Sequence, residues 1–384
     1  MPTPRPILLC TVGTSLFSNL KPLADQLAAG KVGDEQRALA EAYRDRDWKR
    51  VGQALASRPS NERTCGAEIN SIHSMIAHGY AQPDCGVFFF HSATDDGRAI
   101  GAILTDYFRR RGHNPVEAKE IADLQDKDPR RFRTRGLRNL AQGLCDIVRT
   151  HSSSACVINA TGGYKAQVAI AVLIGQALGI SVCYMFEGFS EIIDFPPMPV
   201  SLDFEMWMRA TGLLTALARE TEPCLREQFE EEWDERYESL VVPVEIDGRQ
   251  YIELSATGLI FSETFQDRFQ SRRDQVLPPK APVSSKRSPL IKADEGHMLA
   301  HRDALQRHLA AITEEVGPVI QCRTHYFNPD LPSPMRFRET RSQVEGIYSD
   351  GSMTVKFWVD TTATTEGQRA AVVAALNYWL RTSR

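Results

Sequence analysis

The sequence predicts an α/β chain: a doubly wound, mostly parallel sheet over residues 1–200, then a helical and winged connector and a small α+β domain. Three observations carry that reading. Short continuous apolar runs alternate with helical patterns through the first 200 residues, the mark of buried parallel strands joined by crossover helices. Glycine- and hydroxyl-rich loops follow several of those runs, as they do in Rossmann-like sheets. After residue 200 the alternation stops, and helices are followed by a hairpin signal at Asp247-Gly248.

Taken in order, residues 6–13 (PILLCTVG) and 85–93 (CGVFFFHSA) read as buried strands. Residues 96–112 carry apolar side chains at helical spacing, 114–121 are a weaker strand near a sheet edge, and 129–151 are a long basic helix. Residues 155–160 are the third central strand, followed by YKAQVAIAVLIGQALG, a helix apolar on most sides. A strand over 180–188 closes the series, with 190–200 as its hairpin partner. Beyond it, FEMWMRATGLLTALARE and CLREQFEEEWDERYESL read as helices and 241–263 as a hairpin, so 201–275 suggest a winged-helix-like connector. Residues 276–292, rich in Pro, Ser and Lys, have linker composition. Residues 293–384 hold an amphipathic helix, strands around Ser349-Asp350-Gly351 and a closing helix.

Composition narrows the function classes. The chain is 42% hydrophobic and 24% charged with a net charge of −4, so bulk charge demands no nucleic-acid partner and an anion must be held by local groups. Eight cysteines without a C-x-x-C pair argue against a disulfide framework or a zinc site. Four of them (Cys10, Cys85, Cys156, Cys183) sit in strand patterns, as small hydrophobes do. No signal peptide and no membrane span is expected, which places the chain in the cytoplasm.

The loop Asn159-Ala160-Thr161-Gly162-Gly163-Tyr164-Lys165 stands between a strand and a helix. It is not a P-loop, because Lys165 follows Gly163 by two and Ala166 stands where a magnesium-binding hydroxyl is needed. It also lacks the G-x-G-x-x-G of a dinucleotide turn. By itself it is equally a tight turn or an anion site at a helix N-terminus. Two further strands end in polar loops: Thr11, Gly13, Thr14 and Ser15 after the first, and His91, Ser92 and Thr94 after the second. In a doubly wound sheet these ends share one rim, where ligands bind.

The set formed by "GTS" (13–15), "GAEINSI" (66–72), "HSATDDGR" (91–98) and "NATGGYKAQ" (159–167) resembles the CARF domain, the sensor of type III CRISPR effectors. The resemblance covers about the first 200 residues. It implies a homodimer binding one cyclic oligoadenylate across a two-fold axis, with no other cofactor. By position, Thr11, Gly13, Thr14 and Ser15 would form one binding loop and Asn159, Thr161, Gly162, Gly163, Tyr164 and Lys165 the other. His91, Ser92 and Thr94 would touch bases or riboses. Cyclic tetra-adenylate is the expected ligand, although the residues do not fix ring size. Thr14 or Ser15 could position a ribose hydroxyl for slow ligand cleavage.

CARF sensors carry an effector, most commonly a HEPN ribonuclease with R-x-x-x-x-H. None of the nine histidines has an arginine five positions before it. A nuclease of the acidic-x-Lys type is disfavoured too: Glu117-Ala118-Lys119 lies in the sensor, and Lys356 has Thr354 two before it. His297 and His301 are spaced H-x-x-x-H but Met298 replaces the zincin glutamate, so no metal site is expected. The positive feature is a basic cluster: Arg323, Arg336, Arg338 and Arg341 with Lys356, near His325, Tyr326 and Tyr348, in a stretch (291–384) of 11 basic and 11 acidic residues. Alternation puts Arg336, Arg338 and Thr340 on one strand face, where they either contact RNA or pair with Glu339, Glu345 and Asp350.

Residues 293–384 are similar to RelE-type toxins, with RFRETRSQVEGIYSDGSMTVKFWVD carrying the likeness. The family's first strand is missing unless "SPLI" (288–291) supplies it, and the basic tail is absent. The resemblance implies metal-independent mRNA cleavage on the ribosome, with Arg323, His325, Arg336, Arg338, Arg341 and Lys356 as candidate catalytic residues. Two alternatives remain open at this stage: a ligand-controlled DNA-binding regulator using the wing, and a nuclease that needs no ribosome. The acidic EQFEEEWDE suits duplex DNA poorly.

Overall fold

A computed structural model describes residues 3–125, 127–186, 191–198, 202–292 and 302–383. The chain divides into two compact units, residues 1–200 and 201–384. His297, Met298 and His301 lie outside the described residues, as do the ends of the strands expected over 180–188 and 190–200.

Unit 1 begins with β1 (Arg5–Thr11), then α1 (Ser15–Ala28), α2 (Asp34–Arg44), α3 (Trp48–Ala56) and α4 (Gly66–Ala77). There follow β2 (Ala81–Ser92), α5 (Asp95–Arg110) and β3 (Val116–Ile121). Next, α6 (Pro129–Arg131) runs through a π turn (Phe132–Gly136) into α7 (Leu137–His151). The π turn coincides with a close approach, since a Cβ on Gly136 would lie against the Asp123 carbonyl. The unit ends with β4 (Cys156–Asn159), α8 (Lys165–Leu178), β5 (Val182–Met185) and β6 (Ile192–Phe195). The sheet order is β3-β2-β1-β4-β5-β6, parallel except for the β5–β6 pair. Helices cover both faces, as the apolar strand runs require. Leu8, Cys10, Val87 and Phe89 join the core under α1–α5, while Phe90 of β2 turns the other way against Gly143 of α7. This is the doubly wound sheet the alternation predicts, with β3 at its edge and β6 paired to β5 as expected. All eight cysteines are free and buried, in keeping with their place in apolar runs.

Unit 2 opens with α9 (Phe204–Arg219), β7 (Cys224–Leu225), two 3-10 segments (Arg226–Glu232, Glu235–Leu240), β8 (Val241–Ile246), β9 (Arg249–Leu254) and α10 (Ala256–Val276). It continues with α11 (Arg302–Glu315), β10 (Val319–Asn328), β11 (Arg336–Thr340), β12 (Gln343–Ser349), β13 (Thr354–Thr361) and α12 (Glu366–Thr382). The larger sheet is antiparallel in the order β10-β13-β12-β11, and a smaller one runs β7-β9-β8. One face of the larger sheet packs on Leu305, Leu309 and Ile312 of α11 and Val372, Val373 and Leu376 of α12. Asn377 of α12 closes edge strand β11: its Nδ2 donates to the Phe337 carbonyl (2.8 Å) and its Oδ1 accepts from the Phe337 N–H (2.9 Å).

Four expectations change here. CLREQFEEEWDERYESL is a short strand and two 3-10 segments, because its acidic run offers little apolar stripe for an α-helix to bury. The Asp247-Gly248 hairpin is present as β8–β9, but its second strand stops at Leu254 and residues from Ala256 onward are helix, with Ser255 capping the Gly258 N–H. The connector is not separate either: α9 packs on α12 and β11. The stretch 276–292 is not a free tether. Ala281 N donates to the Gly317 carbonyl, Arg287 N to Ile320 and Leu290 N to Cys322, and Leu290 bridges Arg323 in parallel with β10.

Candidate functional site

Two polar places stand out, one in each unit. In unit 1 the strand order reverses between β1 and β4, with β2 on one side and β5 on the other. Such a switch point leaves a crevice at the strands' carboxyl ends. The β1 loop and the β4 loop meet there in backbone contact: a Cβ on Gly13 would lie 2.6 Å from Gly163 N. Thr11 Oγ1 donates to the Gly162 carbonyl at 2.5 Å. Gly163 has φ +102°, which a side chain would strain.

A residue absent from the expected set organises this rim. Glu68 of α4 is 1% exposed; its carboxylate accepts from Gly13 N (2.7 Å) and Ser15 Oγ (3.3 Å), and Gly162 is held against it with no room for a Cβ. Burial pushes the Glu68 carboxyl up and the Gly13 N–H pulls it back. Its signal in the sequence was a lone acid within GAEINSI, a segment otherwise suited to the core.

The expected residues divide accordingly. Thr11 and Asn159 are buried, and Asn159 Nδ2 donates to Ser71 Oγ (2.8 Å). Thr161 Oγ1 donates to Asn159 Oδ1 (2.6 Å) and accepts from Met185 N (3.0 Å), tying β4 to β5. Thr14, Gly163, Tyr164 and Lys165 face outward and Ser15 is half-buried. Lys165 begins α8, where free N–H groups and the helix dipole favour an anion. Beside Ser15 and Thr161 a cleft of about 1230 Å³ opens along α4, edged by Arg63, Asn70, His73 and Phe186. It is larger than an ordinary small-ligand pocket.

The third loop does not join this group. β2 is separated from β4 by β1. His91 is 5% exposed, with its ring packed against Gly101 of α5. Ser92 Oγ bonds Thr94 Oγ1 (2.8 Å), and Thr94 Oγ1 accepts from Gly97 N as the α5 cap.

In unit 2 the other face of the larger sheet carries the charges. The register sets Arg338 beside Glu345, Glu345 beside Trp358 and Trp358 beside Arg323 in one row. Arg338 Nε donates to Glu345 Oε2 at 2.7 Å. His325 stacks on Trp358 (4.3 Å, 16°), with Nε2 2.9 Å from Glu345 Oε1 but not aligned for a hydrogen bond. Lys356 lies under Tyr326, 5.3 Å from the ring centre. Burial holds the His325 imidazole below its ordinary value, against the pull of Glu345.

The arginines are not an open basic patch. Arg336 is fully buried: Nε donates to Glu232 Oε1 (2.6 Å), Nη1 to the Pro334 carbonyl (2.9 Å) and Nη2 to the Gln228 carbonyl (2.5 Å), and the guanidinium stacks on Phe229. With its donors bound inside the fold it cannot contact RNA. Arg338 is 2% exposed and pairs with Glu345 and Glu231. These partners come mostly from the connector; of the carboxylates expected to pair, Glu345 does so with Arg338, and Glu339 binds Arg369 instead. Arg323 makes a two-pronged pair with Asp360. Arg341 is exposed in the β11–β12 turn, away from the row. The expected set therefore reduces to His325 and Lys356 around Arg338, and gains Glu345 and Trp358. Among the described residues no group of His, Cys, Asp and Glu could hold a metal ion, and no helix is long and apolar enough to cross a membrane.

No curated protein matches the chain. Residues 63–198 match the family model described as CRISPR-associated protein (Cas_APE2256), a stretch that holds Glu68 and the Gly162–Lys165 loop, and over it the chain is similar to a CRISPR-associated protein.

Proposed function

We propose that the chain is a ribonuclease of CRISPR defence gated by a cyclic oligoadenylate. Unit 1 binds the ring at the β1–β4 switch point, through Thr14, Ser15, Gly163, Tyr164 and the Lys165 ammonium. Exposed Phe186, Ile193, Phe195 and Met198 offer the apolar face for a second copy, as a two-fold ring ligand asks. Unit 2 cuts RNA on its outer sheet face.

The observation that carries this reading is the His325–Glu345–Arg338–Lys356 cluster beside Trp358. RNA can be cut by its own 2′-oxygen: the base takes the 2′-OH proton, the oxygen attacks phosphorus, and the P–O5′ bond breaks as the 5′-oxygen takes a proton from water. His325, held neutral by burial, accepts that proton. Lys356 stabilises the negative charge gathered on the phosphorane, with the buried Arg338 guanidinium adding its positive charge from behind. Trp358 and Tyr326 supply surfaces for bases. The products are a 2′,3′-cyclic phosphate and a 5′-hydroxyl, and no step requires a metal. By its likeness to RelE-type toxins, the substrate is mRNA positioned on the ribosome.

The test is cleavage of mRNA by the full chain with cyclic tetra-adenylate, with and without translating ribosomes and EDTA. Cutting that survives EDTA and falls at least roughly 100-fold in His325→Ala supports the reading. Its rate should drop as pH falls through the His325 pKa, below the ordinary imidazole value. Unchanged cutting in His325→Ala removes the assigned chemistry, and cutting of naked RNA at the same rate removes the ribosome.

A further inference from the structure

The segment 226–232 lies over the charged face of the larger sheet in unit 2 and contributes two carboxylates with different circumstances. Glu232 is 8% exposed and pins buried Arg336. Glu231 is 59% exposed; it contacts Arg338 Nη2 and lies 3.6 Å from Lys356 Nζ. The fold does not depend on it in the same way, because Arg338 keeps Glu345 as a buried partner on both Nε and Nη2.

Charge shows what Glu231 does. Arg336, Arg338 and Lys356 face Glu231, Glu232 and Glu345, three cations against three carboxylates. The cluster is neutral while Glu231 is seated and carries one positive charge when it leaves. The place it vacates is edged by a guanidinium and an ammonium, the donors that two non-bridging phosphate oxygens need. Tyr326, 44% exposed, and the His325–Trp358 stack lie alongside, as surfaces for flanking bases.

We infer that Glu231 occupies a phosphodiester subsite for single-stranded RNA between Arg338 and Lys356, and that RNA binds by displacing it. The inference rests on reading this face as the ribonuclease site, and it adds which atoms take the backbone phosphate and what holds that place in the resting chain. The connector's acidic run is then a built-in competitor of the substrate.

The experiment measures binding of a labelled single-stranded RNA by the full chain over a salt series, for the wild type, Glu231→Gln, Glu230→Gln and Lys356→Ala. Glu230 is an exposed carboxylate of the same segment and controls for charge alone. Glu231→Gln should bind roughly three- to tenfold more tightly than Glu230→Gln, and its salt slope should steepen by about 0.7. The gain should vanish in the Glu231→Gln, Lys356→Ala double variant. Equal binding by Glu231→Gln and Glu230→Gln, with His325→Ala still abolishing cleavage, overturns the subsite and leaves the ribonuclease reading standing. A melting temperature well below that of Glu230→Gln makes Glu231 a structural pin and also overturns it. Absence of RNA binding in every form overturns both.

Discussion

Glu68 shows how one residue sets a rim. Its carboxylate joins Gly13 and Ser15 of the β1 loop and abuts Gly162 of the β4 loop, so both loops are fixed from below. Glu68→Gln keeps an acceptor for the Gly13 N–H and should retain ligand binding, whereas Glu68→Ala leaves that donor unmet at a cost of about 1–3 kcal/mol and should weaken binding. Thermal shift with cyclic tetra-adenylate checks this. The folded-state pKa of Glu68 lies above its unfolded value, so its contribution to stability is present below the unfolded pKa and lost as pH rises through the folded one. Glu68→Gln should remove that loss; a pH–stability curve identical to wild type would contradict the assignment. Glu68 escaped notice in the sequence because a lone acid in a helix more often faces water, and only the β1 loop packed on it gives it a task. The arginines of RFRET misled for the complementary reason. Period two puts Arg336 and Arg338 on one face, but nothing in the strand says that Glu231 and Glu232, about a hundred positions earlier, cover that face.

At the scale of elements, the strands and crossover helices of unit 1 were legible because each buries an apolar run. The 3-10 segments at 226–240 were not, since the first docks on β11 and β9 and the second on α10 and β8, contacts that periodicity does not encode. Composition suggested a tether for 276–292, while its backbone bonds to β10 depend on a strand that comes later in the chain. The junction of the β1 and β4 loops is the element-scale feature on which the proposed ligand site rests. Gly13→Ala would push its Cβ to 2.6 Å from the Gly163 backbone, a contact that no flexible side chain can relieve. We expect it to cost about 1–3 kcal/mol of stability and to abolish the melting shift given by cyclic tetra-adenylate. Gly367→Ala, with nothing within 4 Å of the new Cβ, is the matched control and should leave the shift intact. An equal shift in both would show that the two loops do not need their close contact.

At the scale of the molecule, the chain combines a doubly wound sheet, with its switch point between β1 and β4, and an antiparallel sheet whose outer face holds paired arginine, lysine and carboxylate side chains. The fold class of the first 200 residues followed from sequence patterning; residues 63–198 match a CRISPR-associated family. The charged row of the second sheet was less visible, because His325, Glu345, Arg338 and Lys356 come from four strands, and Glu231 from the connector, which meet only in three dimensions. On the proposed function, a ligand at the Lys165 rim switches on RNA cutting at His325. The most direct measurement is mRNA cleavage by the full chain in the presence of translating ribosomes, for wild type and Lys165→Ala, each with and without cyclic tetra-adenylate. Ligand-dependent cutting is expected in the wild type, and at least roughly tenfold less in Lys165→Ala, the loss of about 1.4 kcal/mol of binding at limiting ligand. Cutting that is the same with and without the ligand, or no cutting in any of the four conditions, would contradict it.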